Sequence, residues 1–500
     1  MTTSFSFRLS LFIFSMVLFF SCQTKKEQKV AEKEIRPNIV LIIADDMNWD
    51  DSGAYGNPAI RTPNIDQLSR DGMRFTQAFL TTSSCSPSRT SIITGKYPHN
   101  TDAEQLHWPL PEGHETFVEQ LKNGGYWTGL AGKYHLGDAV RDHFDSIMEV
   151  GTAGFQVGPD GKPRKAEGDG SGCESWVRLL QAREKSKPFF AWLAAVDPHR
   201  PYYDSIIDNP HNPKDVIVPP YFPDTESVRK DLARYYDEIS RMDGYVGNVV
   251  KELEAQGVSE NTMILFISDN GRPFPRDKTT LYEGGIKTPW IVKWTAKVKK
   301  GVVNENLISS VDIAPTFLKL AGLQSLDVFE GFDFTLELEE GGQPIRDEIY
   351  AEDHWHDYED YTRAIRTTQY KYIKNFYIDL PNTPSADAFR SLTYQSMLAE
   401  KGKGNLNEAQ LRCFEVPRAE EELYDIIADP NELVNLASSA EYVAVLDDLR
   451  RRLKRLREKS KDVLPTVRTP DDFDRITGLP TPARIRPRPS KAEMMKDLLR

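Results

Sequence analysis

Three stretches of the chain share one pattern: Asn38-Ile39-Val40-Leu41-Ile42-Ile43-Ala44, Phe189-Phe190-Ala191-Trp192-Leu193-Ala194-Ala195-Val196 and Thr262-Met263-Ile264-Leu265-Phe266-Ile267-Ser268. Each is a continuous apolar run of strand length, the pattern of strands buried on both faces of a mainly parallel sheet. Between them, residues 62–72, 115–124 and the long stretch 227–256 carry apolar positions at helical spacing. The alternation predicts a doubly wound α/β sandwich over residues 37–348. From Ile349 the texture changes. Residues 361–366 and 370–374 alternate and flank Thr367-Thr368-Gln369, so they read as antiparallel strands. A helix over 440–459 sets Val443, Leu446, Leu449 and Leu453 on one packing face. Residues 349–462 are therefore expected to form a smaller α+β domain with an antiparallel sheet, and the Pro- and Arg-rich tail 463–500 to wrap or dangle.

Each apolar run gives way to a polar cluster: Asp45-Asp46, Asp197-Pro198-His199 and Asp269-Asn270-Gly271. In open α/β sheets ligands bind beyond the carboxyl ends of the strands. One such acid is an ordinary turn residue. Three clusters at the same edge predict a shared site.

The beginning of the chain stands apart from this pattern. Arg8 precedes an apolar run over residues 9–20 that only Ser10 and Ser15 interrupt, and Ser21-Cys22 lead into a polar, charged linker over 23–36. The run is short for a membrane span and reads as a targeting segment over 1–22. Its end, Phe19-Phe20-Ser21-Cys22, resembles a loose bacterial lipobox with Cys22 lipidated after cleavage. Ordinary signal cleavage and an uncleaved anchor are the alternatives. The protein is accordingly expected to be exported and lipid-anchored in the periplasm or at the outer membrane of a Gram-negative bacterium. A formal charge of −12 opposes nucleic acid or an anionic membrane surface as a partner. An anionic substrate would need a local basic pocket. The cysteines Cys22, Cys85, Cys173 and Cys413 are too few and scattered for a disulfide framework. Cys173 and Cys413 read as buried thiols, with a pairing between them as the alternative.

The stretch Ser84-Cys85-Ser86-Pro87-Ser88-Arg89-Thr90-Ser91-Ile92-Ile93-Thr94-Gly95 carries the chemistry. Pro87 suits a first helical turn and Gly95 a helix end, which puts Cys85 at a helix N-terminus with Arg89 one turn on, over the same face. Backbone donors, helix dipole and guanidinium then aim at one anion-sized space. A merely buried cysteine at a helix start would account for Cys85 but not for its neighbours. The segment resembles the C-x-P-S-R…T-G signature of the type I, formylglycine-dependent sulfatases, and the resemblance extends over nearly the whole mature chain.

That resemblance implies an alkaline-phosphatase-like fold, with a large mixed, mostly parallel sheet between helices. It implies that a formylglycine-generating or sulfatase-maturing enzyme oxidises Cys85 to formylglycine. It assigns one Ca²⁺ to Asp45, Asp46, Asp269, Asn270 and the modified Cys85, and catalytic work to Arg89, Lys133, His135, His199 and Lys278. These metal ligands offer oxygen, as a hard cation requires, and no His/Cys cluster suggests zinc. Lys133 and His135, two apart, would point the same way in an extended segment. Lys287 matches a basic family position. His107 with Trp108, Arg200, Lys287, His354 and His356 are the candidates for substrate contact.

Within the family, Ser83-Ser84-Cys85-Ser86-Pro87-Ser88-Arg89, Pro219-Pro220-Tyr221-Phe222-Pro223-Asp224-Thr225, Ser268-Asp269-Asn270-Gly271-Arg272-Pro273-Phe274-Pro275 and Glu422-Leu423-Tyr424-Asp425 resemble the N-sulfoglucosamine sulfohydrolase (sulfamidase) branch. Lys278 and Glu283-Gly284-Gly285-Ile286-Lys287 depart from it and look like the common O-sulfatases. The resemblance thus implies hydrolysis of sulfate esters on a sulfated polysaccharide, such as ulvan or a glycosaminoglycan, with heparan N-sulfate as the alternative bond. Two rivals are a phosphodiester or phosphonate hydrolase of the same superfamily and a non-catalytic surface glycan-binding protein.

Overall fold

The computed structural model describes residues 36–150, 156–157, 163–164, 169–339, 342–485 and 488–498. The expected leader with Cys22, and almost all of the linker, lie outside the described residues. The chain builds its main sheet from β1 (Asn38–Ala44), β2 (Met73–Phe79), β3 (Trp127–Lys133), β4 (Ser146–Val150), β7 (Phe189–Ala194), β8 (Thr262–Ser268), β9 (Trp290–Lys293) and β10 (Val302–Ser309); a two-stranded ribbon, β5 (Gln156–Val157) and β6 (Pro163–Arg164), stands outside it. The order is β10-β2-β9-β8-β1-β7-β3-β4. β1 is central, with Ile39 beside Phe190 on one side and Met263 on the other. Its side chains alternate between two cores: Ile39, Leu41 and Ile43 enter one, Val40, Ile42 and Ala44 the other. Both faces are therefore dry, which is why the run shows no polar alternation.

All strands of this sheet run the same way except β9, which is antiparallel to both β2 and β8. The loops after β1, β2, β3, β7 and β8 consequently open on one edge. Because β9 returns from that edge, the whole connection over residues 269–289 stays there too.

Helices cover both faces: α1 (Pro63–Arg70), α2 (Cys85–Thr94), α3 (Phe117–Asn123), α4 (Trp176–Ala182) and the long α5 (Glu226–Ala255) among them. Thr225 caps α5 by accepting from the Val228 N–H, and Leu232, Tyr236, Ile239, Val246 and Leu253 form its buried stripe.

The second sheet is antiparallel, β11 (Ile349–Asp353), β12 (Thr362–Arg366), β13 (Tyr370–Asn375) and β14 (Glu421–Asp425), in that order. One face takes Leu446, Leu449 and Leu453 of the helix Val443–Ser460. The other face rests on Phe79, Leu281, Tyr282 and Ile286 from the carboxyl edge of the main sheet. Val443 departs from the expected packing face: at the first residue of the helix it is 51% exposed, one turn short of the contact. The tail wraps. Trp355 Nε1 donates to the Pro470 carbonyl at 3.0 Å, the Arg488 guanidinium lies 3.4 Å from the centre of the Trp355 ring, and Lys491 pairs with Glu104 at 2.6 Å. Cys173 and Cys413 are free and buried, not paired. Among the described residues, no helix is long and apolar enough to cross a membrane.

A buried polar knot ties the two sheets together. His99 Nδ1 meets Glu352 Oε2 at 2.8 Å and Nε2 meets the Ser460 carbonyl at 3.0 Å. Burial opposes a charge on this ring, but the Glu352 carboxylate outweighs it and pushes His99 up to about 9. The folded value lies above the ordinary 6.5, so this contribution to stability is complete below pH 6.5 and is lost as pH rises through 9. His99→Gln is expected to cost about 2 kcal/mol in urea unfolding at pH 6 and little above pH ~9.5. A difference that does not change with pH would contradict the assignment.

Candidate active site

The polar clusters expected at the strand ends do meet at the carboxyl edge. Asp45 and Asp46 follow β1 directly, and Asp46 is held at φ 76°, a left-handed conformation that aspartate tolerates better than most residues. Cross-links fix them to neighbouring strands: the Asp45 N–H donates to the Asp197 carbonyl at 3.0 Å and the Asp46 N–H to Asp269 Oδ1 at 3.2 Å. The loop after β2 delivers α2, whose residues are all buried although most are polar. Three of its hydroxyls are paired, with Thr90 donating to the Pro87 carbonyl, Thr94 to the Thr90 carbonyl and Ser91 to the Lys96 carbonyl, while Ser88 Oγ is buried without a hydrogen bond. Gly95 ends the helix at φ 61°, where a Cβ would run into Ala314 and Phe329. Ser84 occupies the N-cap, so Cys85 opens the helix and Arg89 follows one turn later.

Around Cys85 the charges interleave. Its Sγ points at Asp46 Oδ1, 3.8 Å away. Arg89 Nε donates to Asp269 Oδ2 at 2.8 Å and Nη1 to the Lys133 carbonyl at 3.2 Å, while Nη2 lies 3.8 Å from Asp45 Oδ1. Lys133 Nζ meets Asp45 Oδ2 at 2.6 Å, and Lys278 Nζ meets Asp46 Oδ2 at 2.8 Å. Asn270 Nδ2 donates to Asp46 Oδ1. His199 Nδ1 faces the Arg200 carbonyl at 2.6 Å and acts as the donor there, which turns Nε2 toward Asp46 Oδ2 at 3.8 Å.

Burial sets the electrostatics. It would raise the Asp45 carboxyl, but Lys133, His199 and Arg89 hold it well below the carboxylate range. At Asp269 burial prevails over Arg89 and pushes the carboxyl up to about 7. The Cys85 thiol is driven well up by burial, so an unmodified Cys85 is a poor nucleophile at neutral pH. Burial and the neighbouring His107 push His135 well below its ordinary value.

The donor set fits a hard cation. The ligand atoms of Asp45, Asp46 and Cys85 lie within 4.8 Å of one another. Asp45 Oδ1 and Asn270 Oδ1 are buried without a hydrogen bond, two oxygens that a bound cation would satisfy. Asp45, Asp46 and Asn270 thus offer oxygens to a metal ion, with the side chain at position 85 facing the same space.

Several sequence expectations need correction. Lys133 and His135 do not lie along one extended segment: β3 ends at Lys133, and His135 sits at φ 52°. The ring of His135 is placed instead by His107, whose Nδ1 lies 2.8 Å from His135 Nε2. Asp197 turns away from the site into a bidentate pair with Arg241 of α5. Arg200 does not present a free cation to a substrate. Its guanidinium is bidentate to Asp231 at 2.8 and 2.9 Å and lies over the Tyr202 and Phe274 rings. His354 is built into the knot between the sheets, 3.4 Å from Glu352 and 3.3 Å from Arg363. Lys287 lies over the Trp49 ring at 3.8 Å and 3.7 Å from Glu283. His356 does reach the Cys85 neighbourhood, with Nδ1 2.7 Å from Ser84 Oγ. Sequence reasoning misses one residue. Asp387, from the short helix Ala386–Phe389, lies 3.6 Å from Lys278 Nζ and 3.7 Å from His199 Nε2. A lone aspartate in Ser385-Ala386-Asp387-Ala388-Phe389 carries no motif that could have announced it.

The chain is similar to known proteins along most of its length. Residues 37–323 match the family model described as Sulfatase, and residues 274–384 match one described as N-sulphoglucosamine sulphohydrolase, C-terminal. An ulvan-active sulfatase of Formosa agariphila is 30% identical over 468 residues, covering 86% of this chain and 76% of that one. Human N-sulphoglucosamine sulphohydrolase is 30% identical over 478 residues, covering 87% of this chain and 92% of that one. Among solved structures, one determined with its substrate D-glucosamine-2-N,6-O-disulfate superposes with a TM-score of 0.66 at 21% identity over 86% of this chain and 99% of that one. The phosphonate monoester hydrolase of Agrobacterium radiobacter gives 0.64 at 20% identity over 85% and 96%. These neighbours share the alkaline-phosphatase-like architecture expected from the sequence. With a family match over more than half its length and a relative 30% identical over 87% of it, the chain belongs to the sulfatase family of sulfuric ester hydrolases.

Proposed function

We propose that the protein hydrolyses sulfate esters of a sulfated polysaccharide or its oligosaccharides, using formylglycine derived from Cys85 together with one Ca²⁺. The observation that carries this reading is the position of Cys85. It opens a buried helix, faces Asp46, and sits among Arg89, Lys133 and Lys278, the basic pocket that an anionic ester needs inside an acidic protein.

The modification would supply two geminal hydroxyls, one to attack sulfur and one whose deprotonation lets sulfate leave. Ca²⁺ held by Asp45, Asp46, Asp269 and Asn270 would supply positive charge against the sulfuryl oxygens. Arg89, Lys133 and Lys278 share that neutralisation. His199, anchored at Nδ1, turns Nε2 to the leaving oxygen and gives it a proton. His135, kept neutral by burial and held by His107 at Nε2, offers Nδ1, which has no hydrogen bond, to take a proton.

The ulvan-active and N-sulphoglucosamine relatives support a glycan substrate, and Lys278 favours an O-sulfate over an N-sulfate bond. A maturing enzyme acting on Cys85 and a lipid anchor at Cys22 complete the proposal, with the enzyme held in the periplasm or at the cell surface. Sulfate release from ulvan, carrageenan, chondroitin and heparan oligosaccharides, assayed beside phosphodiester and phosphonate esters, tests it. Sulfate esters are expected to be preferred in kcat/KM by at least about 100-fold. A clear preference for phosphorus esters would overturn the reading.

A further inference from the structure

Asp387 is not part of the metal-ligand set or of the basic pocket, yet it closes a ring of alternating charge. Lys278 Nζ stands between Asp46 Oδ2 at 2.8 Å and Asp387 Oδ2 at 3.6 Å, and His199 Nε2 stands between the same two oxygens at 3.8 and 3.7 Å. Oδ2 of Asp387 is buried and makes no hydrogen bond of its own. It faces the Lys278 ammonium and the His199 ring instead. Oδ1 is fixed by the Ala388 N–H at 2.8 Å, so the carboxylate has a set orientation. A cation on Asp46 would draw on the charge that Lys278 and His199 now share. Asp387 is then the counter-charge that keeps the His199 ring in place.

The surroundings hold this carboxylate rigidly against the His199 loop. Asp231 of α5 grips Arg200, next to His199, and also accepts from the Thr393 backbone at 3.1 Å and hydroxyl at 2.7 Å, just beyond Asp387. The Ala386 N–H donates to Asp357 Oδ2 at 3.0 Å, and Phe389 packs on Tyr394 with ring centres 4.9 Å apart. The segment 385–393 and the segment 197–201 are thus bolted to one helix.

We propose that Asp387 is a positioning residue for the leaving-group half of the reaction: it orients the His199 imidazole without touching the reacting atoms, while Lys278 stays anchored by its nearer partner Asp46. The proposal rests on the sulfatase reading through the leaving oxygen alone. A sugar alcohol is a poor leaving group and depends on a well-placed proton donor; a nitrophenolate does not.

The test compares the full-length wild type with Asp387→Asn and Asp387→Glu, each carrying the same measured fraction of formylglycine, on a sulfated oligosaccharide and on 4-nitrophenyl sulfate. Asp387→Asn is expected to lower kcat on the sugar sulfate by about 100-fold with KM within about threefold, and to lower turnover of the aryl ester by less than about fivefold. Asp387→Glu, which keeps the charge, is expected to recover at least about a tenth of the lost rate. Equal losses on both esters, a loss confined to KM, or no loss would overturn the proposal. If the wild type instead turned over aryl and alkyl phosphodiesters, the sulfatase reading would fail, and the same leaving-group comparison on those esters would still decide the part Asp387 plays.

Discussion

Cys85→Ala is expected to lower sulfate release by at least about four orders of magnitude while leaving the fold intact. Among the described residues, the side chain at position 85 is the group placed to attack: Sγ faces Asp46 at the head of α2, with Arg89 one turn behind it. The flanking serines are already engaged. Ser84 Oγ is engaged with His356, and Ser86 Oγ accepts the His107 N–H at 2.8 Å. Truncation removes only one buried sulfur from a small cluster with Leu106 and Trp355, so melting should shift by a few degrees at most. Cys85→Ser sharpens the expectation. A serine hydroxyl could accept the sulfuryl group once but has no second hydroxyl with which to expel it. A stoichiometric sulfated protein without turnover is the expected result, read by mass spectrometry of the intact chain. Sustained turnover by either variant would contradict the assignment.

The second large effect concerns the cation. Chelation is expected to abolish at least about 99% of activity, and Ca²⁺ to restore it where Zn²⁺ does not, because the donors are carboxylate and amide oxygens. Asp46→Asn should be equally damaging to rate and should also cost about 3 kcal/mol of stability in denaturant unfolding. Asp46 is the partner of Lys278 at 2.8 Å and faces His199 at 3.8 Å, both at the heart of the site. Its loss leaves a buried ammonium whose remaining carboxylate is Asp387 at 3.6 Å. Full activity in chelator would contradict the metal assignment.

Much of this architecture is readable in the sequence, for definable reasons. β1, β7 and β8 are buried on both faces, so their unbroken apolar runs are visible, and the residues behind them fall at one edge once the strands are parallel. Helix α2 is legible for the opposite reason. It has no apolar stripe to betray a packing face, and Pro87, Gly95 and the spacing of Cys85 and Arg89 mark it instead. Local pattern does not report tertiary partners. Arg200 and His354 have the residue types of substrate contacts, but Asp231 and Glu352, distant in sequence, claim them. Lys133 and His135 have the spacing of neighbours on one strand face, and the left-handed turn at His135 separates them. Asp387 is invisible in the sequence because its role comes entirely from which loop it faces.

Whether Cys85 becomes the nucleophile is decided by mass spectrometry of the peptide ending at Arg89, paired with sulfate release from the same preparations matured to different extents. An aldehyde in place of the Cys85 thiol is expected in active protein, with a rate that rises in proportion to the modified fraction and extrapolates to zero when none is present. Undiminished sulfate release from protein whose Cys85 is wholly unmodified would contradict it.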